Sequence, residues 1–372
     1  MAEQSLKDET MGIETCAPVI IPTLNRYEHF KRCFESLEKC VGAEKTDVYI
    51  GLDYPPSEKY ISGWKQVDEY LHEKEKSNIF HKLVVFRREK NYGVLHENSN
   101  NAQLSEYVFK YYDRYIFSED DNVFSPNFLV YMNTCLDYYK DDPDVFGITG
   151  YNYPLNWKTQ PGATVIKQKY HVQAWGMGVW KEKWESIIPL VTSGAIYDKA
   201  DYVVKHQLHR YMTDADQKDY FGTVIFDIDY LKKNNKFAVN PTDTALTLLL
   251  SVEGKYFISP VISKVRNIGF DGSGETCQNT INNPHGVHAW DYNYSLQDID
   301  SSIDFTLIEC DMQFLEQNRN LHSDFDSRSI KDKFRTRIII YLIKYLGLNN
   351  VRAIVRCLIQ MKHSIFVKRR SF

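Results

Sequence analysis

The sequence has no apolar run approaching the roughly 20 residues a helix needs to span a bilayer. Its seven cysteines, Cys16, Cys33, Cys40, Cys135, Cys277, Cys310 and Cys357, are odd in number and form no Cys-x-x-Cys pair. That argues against a zinc site or a disulfide framework and for reduced thiols. Met1 to Glu14 is polar and charged, without the apolar core of a signal peptide. A cytoplasmic protein is therefore expected. Neither G-x-G-x-x-G nor G-x-x-x-x-G-K-[ST] occurs, which disfavours a dinucleotide fold or a P-loop, and there is no internal repeat.

What is present is ample for a core. Of 372 residues, 43% are apolar and 14% aromatic, enough for one large or two ordinary domains and rich in flat side chains that stack on sugars and bases. The net charge of −4 is unevenly spread. From Ser329 to Phe372 there are eleven Lys/Arg against one acid, Asp332, which leaves 34 basic and 48 acidic residues in the preceding 328. A basic tail on an acidic body predicts an acidic partner for the tail.

The chain is organised around Tyr115 to Pro126. Tyr115-Ile116-Phe117 reads as a buried strand that stops at Glu119-Asp120-Asp121, and Ser125-Pro126 predicts a helix start, with Ser125 as cap and Pro126 at the first helical position. Adjacent side chains on a strand point to opposite faces, so the acids can share a ligand only if the strand has ended. A hard divalent cation, Mg²⁺ or Mn²⁺, needs only one or two protein carboxylates when phosphates and water complete its shell, and Asp121 is the expected ligand. An acidic solvated turn is the competing reading.

Strands at Ala17–Pro22, Asp47–Leu52, His81–Phe86, Tyr115–Phe117 and Asp144–Thr149 alternate with helices near Tyr27–Cys40, Trp64–Lys74, Asn98–Tyr112 and Asn127–Tyr139. That alternation predicts an α/β fold with a mostly parallel sheet between helices. Thr23, Asn25, Arg26, Asp53, Arg87 and Glu119 to Asp121 then fall at the strand ends where such sheets bind ligands. Further on, Trp175-Gly176 combines an aromatic with a glycine, suiting either a sugar-stacking wall or a core position. Phe226-Asp227-Ile228-Asp229-Tyr230 sets two acids in a helix-prone segment, where at most one can face a site. A strand over Val261–Phe270 leads to a loop, Asn267 to Gly274, whose three glycines suit a lid.

Val19-Ile20-Ile21-Pro22-Thr23-Leu24-Asn25-Arg26, Asp53 after a second strand, Asn91-Tyr92-Gly93 and Glu119-Asp120-Asp121 together resemble a nucleotide-sugar glycosyltransferase of the GT-A fold. The group in question is the α-mannoside β-1,2-N-acetylglucosaminyltransferases with bacterial surface-polysaccharide glycosyltransferases similar to them. The resemblance covers roughly residues 17 to 275 and implies a Rossmann-like GT-A domain. It implies that Pro22, Thr23, Asn25 and Arg26 border the nucleotide, that Asp53 contacts uracil or ribose, and that Asn91, Gly93, Asn100, Glu119 and Asp120 line the donor. It makes Asp121 the ligand of Mn²⁺ or Mg²⁺ and sets Trp175 and Gly176, in reversed order, on the acceptor side. It further implies Asp229 as catalytic base with Asp227 as alternative, and Asn267-Ile268-Gly269-Phe270 closing over the donor. Where the family carries a His in that loop, this chain has Gly274-Glu275-Thr276.

The expected organisation is a polar extension over 1–16, the GT-A domain over 17–275, a polar wrapping segment over 276–328 and a basic amphipathic helical tail over 329–372. The expected function is metal-dependent, inverting transfer from a nucleotide-diphosphate sugar, UDP-GlcNAc among the candidates, to a hydroxyl of a glycan or lipid-linked acceptor in bacterial surface-polysaccharide synthesis. A sugar-nucleotide nucleotidyltransferase would want a Gly-rich basic loop where Thr23-Leu24-Asn25-Arg26 stands; a non-catalytic glycan-binding scaffold is the other alternative. The tail mixes Lys/Arg with Ile, Leu and Phe, suiting a helix on an anionic membrane surface at the inner face of the cytoplasmic membrane, or a helix packed on the body or in a dimer. No nucleic-acid-binding motif accompanies the charge, so nucleic acid is not an expected partner.

Overall fold

A computed structural model describes residues 16–94, 96–152, 157, 159–168, 174–212, 214–228, 231, 243–274, 300–310 and 330–370. The first half alternates as its pattern predicts: β1 (Val19–Thr23), α1 (Tyr27–Glu38), β2 (Asp47–Leu52), α2 (Glu58–Lys76), β3 (Lys82–Arg87), α3 (Asn100–Val108), β4 (Arg114–Phe117), β5 (Asn122–Phe124), α4 (Phe128–Tyr138) and β6 (Val145–Thr149). Then come β7 (Val165–Gln168), β8 (Met177–Trp180), α5 (Lys181–Thr192), α6 (Ala195–Asp198), α7 (Ala200–Lys205), α8 (Asp214–Gly222), α9 (Asp243–Glu253), β9 (Tyr256–Pro260), β10 (Val265–Asn267), β11 (Glu309–Cys310), α10 (Ile330–Leu346) and α11 (Leu348–Arg370).

Nine strands form one sheet in the order β11-β7-β9-β6-β8-β4-β1-β2-β3, while β5 and β10 pair separately. Five of the eight neighbouring pairs in the large sheet are parallel, and β8 is antiparallel to both its neighbours. The architecture is the α/β fold that the sequence predicts, a mostly parallel sheet between helices. Val19 and Ile21 of β1 and Val48 and Ile50 of β2 face a cluster with α1, α2 and α4, whereas Ile20 and Tyr49 face a second cluster with α3, α7, α8 and α9. Burial on both faces is why these strands are continuously apolar rather than alternating. In α1, Phe30, Cys33, Phe34 and Leu37 are the buried residues, at the spacing that makes one helix face.

Successive strands step from β1 to β2 to β3, and then β4 pairs on the other side of β1. The strand order thus reverses beside β1, and a crevice at the carboxyl ends of β1 and β4 is where open α/β sheets take ligands. Pro22 helps to open it. The Ile20 carbonyl accepts from Ser118 N–H, so Ile20 and, two residues on, Pro22 turn their backbone groups toward β4. Strand β4 ends at Phe117, so the ladder bond that Pro22 cannot donate falls beyond its last residue.

Several boundaries differ from the sequence reading: helix α3 already ends at Val108 rather than near Tyr112, and three others have causes in the tertiary structure or the pattern. Helix α4 starts at Phe128, not at Pro126, because Ser125 N–H donates to the Lys264 carbonyl and the Pro126 carbonyl accepts from Val41 N–H. Those tertiary bonds hold Ser125-Pro126 as a turn, and the Ser125 hydroxyl donates to Asn127 Oδ1 instead of capping. Helix α2 opens six residues before Trp64, directly after Pro55-Pro56 and Ser57, its exposed first turn having no apolar period to read. The single strand expected over Val261–Phe270 is instead β9, ending at Pro260, and the short β10, turned to meet β5.

The described residues of the polar segment, 300–310, lie against the body. Asn127 Nδ2 donates to Asp300 Oδ2, Ser302 Oγ and the Asp304 carbonyl, buried Lys264 pairs with Asp300, and β11 joins the sheet edge beside β7. The tail is a pair of helices broken at Gly347, docked on the second cluster through Ile343, Leu348 and Val351. Leu348 N–H donates to Asp201 Oδ1 at 2.8 Å, and Arg352 Nε donates to the Val224 carbonyl at 2.9 Å. Among the described residues, no helix is long and apolar enough to cross a membrane.

Candidate functional site

The acidic stretch leaves the sheet immediately after β4, so Glu119, Asp120 and Asp121 are freed from strand alternation. Asp120 and Asp121 are buried and turn toward β1. Thr23, the last residue of β1, donates its hydroxyl to Asp120 Oδ2 at 2.9 Å. Arg26, between β1 and α1, binds both carboxylates through one nitrogen: Nη2 contacts Asp120 Oδ1 and lies 2.8 Å from Asp121 Oδ2. From the opposite direction, Asn267 Nδ2 donates to Asp121 Oδ1 at 2.7 Å, and Ile268 N–H donates to the Asp121 carbonyl. All four carboxylate oxygens of the pair therefore have a partner.

This arrangement follows from topology. The antiparallel pairing of β5 with β10 sets Asn267 opposite Asn122, which carries the loop after β10 across the acids. Gly269 touches Asp121 so closely that a Cβ there would come within 2.0 Å of Asp121 Oδ2. Only glycine leaves that carboxylate in place. The loop is closed onto α1 as well: His29 Nε2 lies 3.2 Å from Asp271 Oδ2, and Gly274 lies near Arg26 Nη1.

The charges are strongly coupled. Burial pulls the Arg26 guanidinium down, but Asp120 and Asp121 outweigh it and hold the group above its ordinary range. Burial lifts the Asp120 carboxyl above the usual carboxylate value; Asp121 adds to the lift, while Arg26 and Thr23 oppose it. Cys33, in α1 beneath the loop, has its thiol pushed well up by burial and by the same two acids, so it is an inert neighbour rather than a nucleophile.

The adjacent strand ends carry the other expected residues. Asp53 N–H donates to the Thr23 carbonyl. Asp53 Oδ1 accepts from Tyr54 N–H, and Oδ2 accepts from Asn91 Nδ2 at 3.1 Å. Gly93 N–H donates to Asn91 Oδ1, and the Asn25 carbonyl lies against Gly63 of α2. Asn100 points into the sheet, its Nδ2 donating to the Gly51 carbonyl at 2.6 Å and its Oδ1 accepting from Arg88 Nε at 3.0 Å. Gly51 leaves the room, since a Cβ there would meet Asn100 Oδ1 at 2.2 Å. Asn100 thus holds Arg88 at the end of β3.

Trp175 takes the core alternative: it is buried edge-on to Tyr151, 4.5 Å between ring centroids, and to Phe270, 5.9 Å away. It presents no exposed sugar-stacking wall. Gly176 packs against Phe128 and Val265. Asp227 ends a π-helical turn, Thr223–Asp227, and faces a separate cavity of about 330 Å³ with Lys218, Asp219, Phe226, Arg335 and Ile339. It is not brought to the Asp121 cluster. Asp229 and Glu275-Thr276 lie outside the described residues. Arg26 and Thr23 were expected from their place at the end of β1. Two partners of Asp121, Asn267 and Gly269, were expected only as part of a lid, and no local pattern marks the asparagine.

Among the described residues, no group of three or more His, Cys, Asp and Glu side chains is arranged to hold a metal ion. The Asp120–Asp121 pair nonetheless has the donor chemistry of a hard-cation site, oxygen only and anionic, and such ions need just one or two protein carboxylates beside phosphate oxygens. The Asp121 edge that suits a cation is the one Arg26 now occupies.

No family description matches the chain, and no curated protein does. Nothing therefore ties it to the α-mannoside β-1,2-N-acetylglucosaminyltransferases in particular. Among solved structures it is similar to TarS of S. aureus, at 17% identity over 41% of this chain and 25% of that one, with a TM-score of 0.29. It is also similar to the mannosyltransferase PcManGT from Pyrobaculum calidifontis in complex with GDP-Man and Mn²⁺, at 10% identity over 68% of this chain and 79% of that one, TM-score 0.33. A third is the apo-form glycosyltransferase GlyE of Streptococcus pneumoniae TIGR4, at 13% identity over 76% and 61%, TM-score 0.30. The chain spans about a quarter of TarS. Likenesses this loose assign no role, and the functional reading rests on the site's own residues.

Proposed function

We propose that this chain is a GT-A-type, metal-dependent, inverting glycosyltransferase that moves a sugar from a nucleotide-diphosphate donor, a uridine-diphosphate sugar with UDP-GlcNAc among the candidates, to a hydroxyl of a glycan or lipid-linked acceptor in surface-polysaccharide synthesis. The supporting observation is the Thr23–Arg26–Asp120–Asp121 cluster in the crevice where strand order reverses, with Asp53 and Asn91 at the next strand end.

Asp53 and Asn91 take the nucleoside, whose polar edge matches a carboxylate and an amide held together. Asp121, with Asp120 beside it, would hold Mn²⁺ or Mg²⁺; the chemistry supplied there is Lewis-acid neutralisation of the leaving diphosphate. Arg26, released from Asp121, turns its guanidinium to the diphosphate oxygens, a geometry to which its fork of donors is suited. The Asn267–Gly274 loop excludes water from the sugar. Asp229 is the base that takes the acceptor hydroxyl's proton as it attacks, and a single displacement inverts the anomeric centre; Asp227, which faces the separate cavity, is not placed for that role. Trp175 supports the acceptor side from within the core, by packing beneath Phe270.

The test is a panel of nucleotide sugars scored by thermal shift with and without Mn²⁺, followed by product analysis. A ligand that binds only the folded chain raises its melting temperature. Expected is a shift with one uridine-diphosphate sugar that needs the metal and is lost in Asp121→Asn, and a product of inverted configuration. Absence of any shift across the panel would overturn the donor assignment, and a retained configuration would overturn the single-base mechanism.

A further inference from the structure

The outward face of α10 is apolar where a docked surface helix is ordinarily polar. Phe334, Ile338, Tyr341 and Tyr345 are 65%, 42%, 61% and 62% exposed, and their spacing of four, three and four residues makes them one stripe. The opposite side of the helix carries Thr336 and Ile343, both buried. The helix is thus fully seated on the body without using the stripe. Tyr341 and Tyr345 pack against each other with tilted rings, 4.4 Å between centroids. At 3.6 residues per turn, Arg337 and Lys344 flank the stripe on one side and Lys331 and Arg335 on the other, all four exposed. On α11, Ile354, Arg356 and Leu358 are exposed as well.

We infer that this face docks on an anionic lipid bilayer, with α10 lying in the interface plane. Two observations select that occupant. The segment from residue 329 carries eleven cations against one acid, so a second copy of this face would meet like charge along its whole length, whereas anionic headgroups complement it. The stripe between the cations is aromatic and aliphatic. It gains from an acyl boundary that tyrosines favour, with their apolar rings down and hydroxyls at the headgroups, and a phosphate backbone would leave it in water. The inference does not depend on the glycosyltransferase reading.

Flotation of the full chain with vesicles tests it, comparing phosphatidylcholine alone with phosphatidylcholine containing a third phosphatidylglycerol. The wild-type chain should float with the anionic vesicles, and added salt should weaken this. Removing two flanking charges in Arg337→Gln/Lys344→Gln should lower partitioning roughly thirty-fold. Phe334→Ser/Tyr341→Ser/Tyr345→Ser should lower it at least as far with an unchanged melting temperature, because none of the three side chains is buried. In Tyr341→Trp, tryptophan emission should shift to the blue on anionic vesicles. The inference is overturned by failure of the wild-type chain to float, by a triple serine variant that floats equally well, or by a solution dimer that the triple variant dissociates, which would make a second copy the occupant.

Discussion

Replacing Arg26 by glutamine isolates the interaction on which the site depends. In the native chain one guanidinium serves two adjacent carboxylates, and none of the three side chains is more than 17% exposed. Removing one member of a buried ion pair costs about 3–5 kcal/mol, because the remaining charge is left without its counter-ion. Glutamine can still donate to one carboxylate, which places the loss near the lower end, about 3 kcal/mol. At about 2 °C per kcal/mol for a chain of this size, the melting temperature should fall by about 6 °C.

The pH dependence separates charge from packing. Burial already holds Asp120 above the usual carboxylate range, and Arg26 is the largest influence opposing it. Without Arg26 the carboxyl rises further. An acid whose folded pKa lies above its unfolded value binds its proton more readily in the folded state, so its stability contribution falls as pH rises from the unfolded value through the folded one. The Arg26→Gln deficit should therefore be full at neutral pH and shrink on acidification. It should also shrink when Asp120→Asn is added, or when Mn²⁺ supplies the missing positive charge. Thermal melts of wild type, Arg26→Gln and the double variant across pH, with and without Mn²⁺, read all of this. A deficit that is flat with pH and insensitive to both rescues would refute the electrostatic reasoning and leave lost packing as the cause.

Two further substitutions test the geometry around the acids. Gly269→Ala sets a methyl group within 2.0 Å of Asp121 Oδ2; the loop must withdraw, and donor affinity measured by calorimetry should fall by at least about tenfold while the melting temperature changes little. Asn100→Ala removes the bonds to the Gly51 carbonyl and to Arg88, leaving a buried carbonyl without that donor, and should cost about 1–3 kcal/mol in denaturant unfolding. An unchanged donor affinity in the first variant or an unchanged midpoint in the second would contradict the contacts described.

The parts of the site that were legible in the sequence are those a single strand end delivers. Thr23 and Arg26 follow a short apolar run whose length, β-branched residues and closing proline read as a strand, and Asp120 and Asp121 follow another; parallel pairing of the two strands then brings their ends together. Hydrophobic patterning carries that much because both faces of the sheet are buried. Asn267 was not legible as a ligand of Asp121, since the contact spans 146 positions and depends on a three-residue strand, β10, too short to have a period. Trp175 was balanced between two roles because a buried and an exposed indole look alike in sequence, and only the rings of Tyr151 and Phe270 decide for the core.

The tail illustrates the opposite limit. Its charge was visible in the composition, yet charge alone did not distinguish a helix on a membrane surface from one packed on the body or in a dimer. Ile343, Leu348 and Val351 seat it on the second cluster, so the exposed stripe lies on a helix that is packed against the body. A side chain that is exposed although its helix is docked is not waiting for the fold to complete. On the docking inferred above, its apolar area is what a partner outside the chain would cover, and the flanking lysines and arginines set the charge expected of that partner.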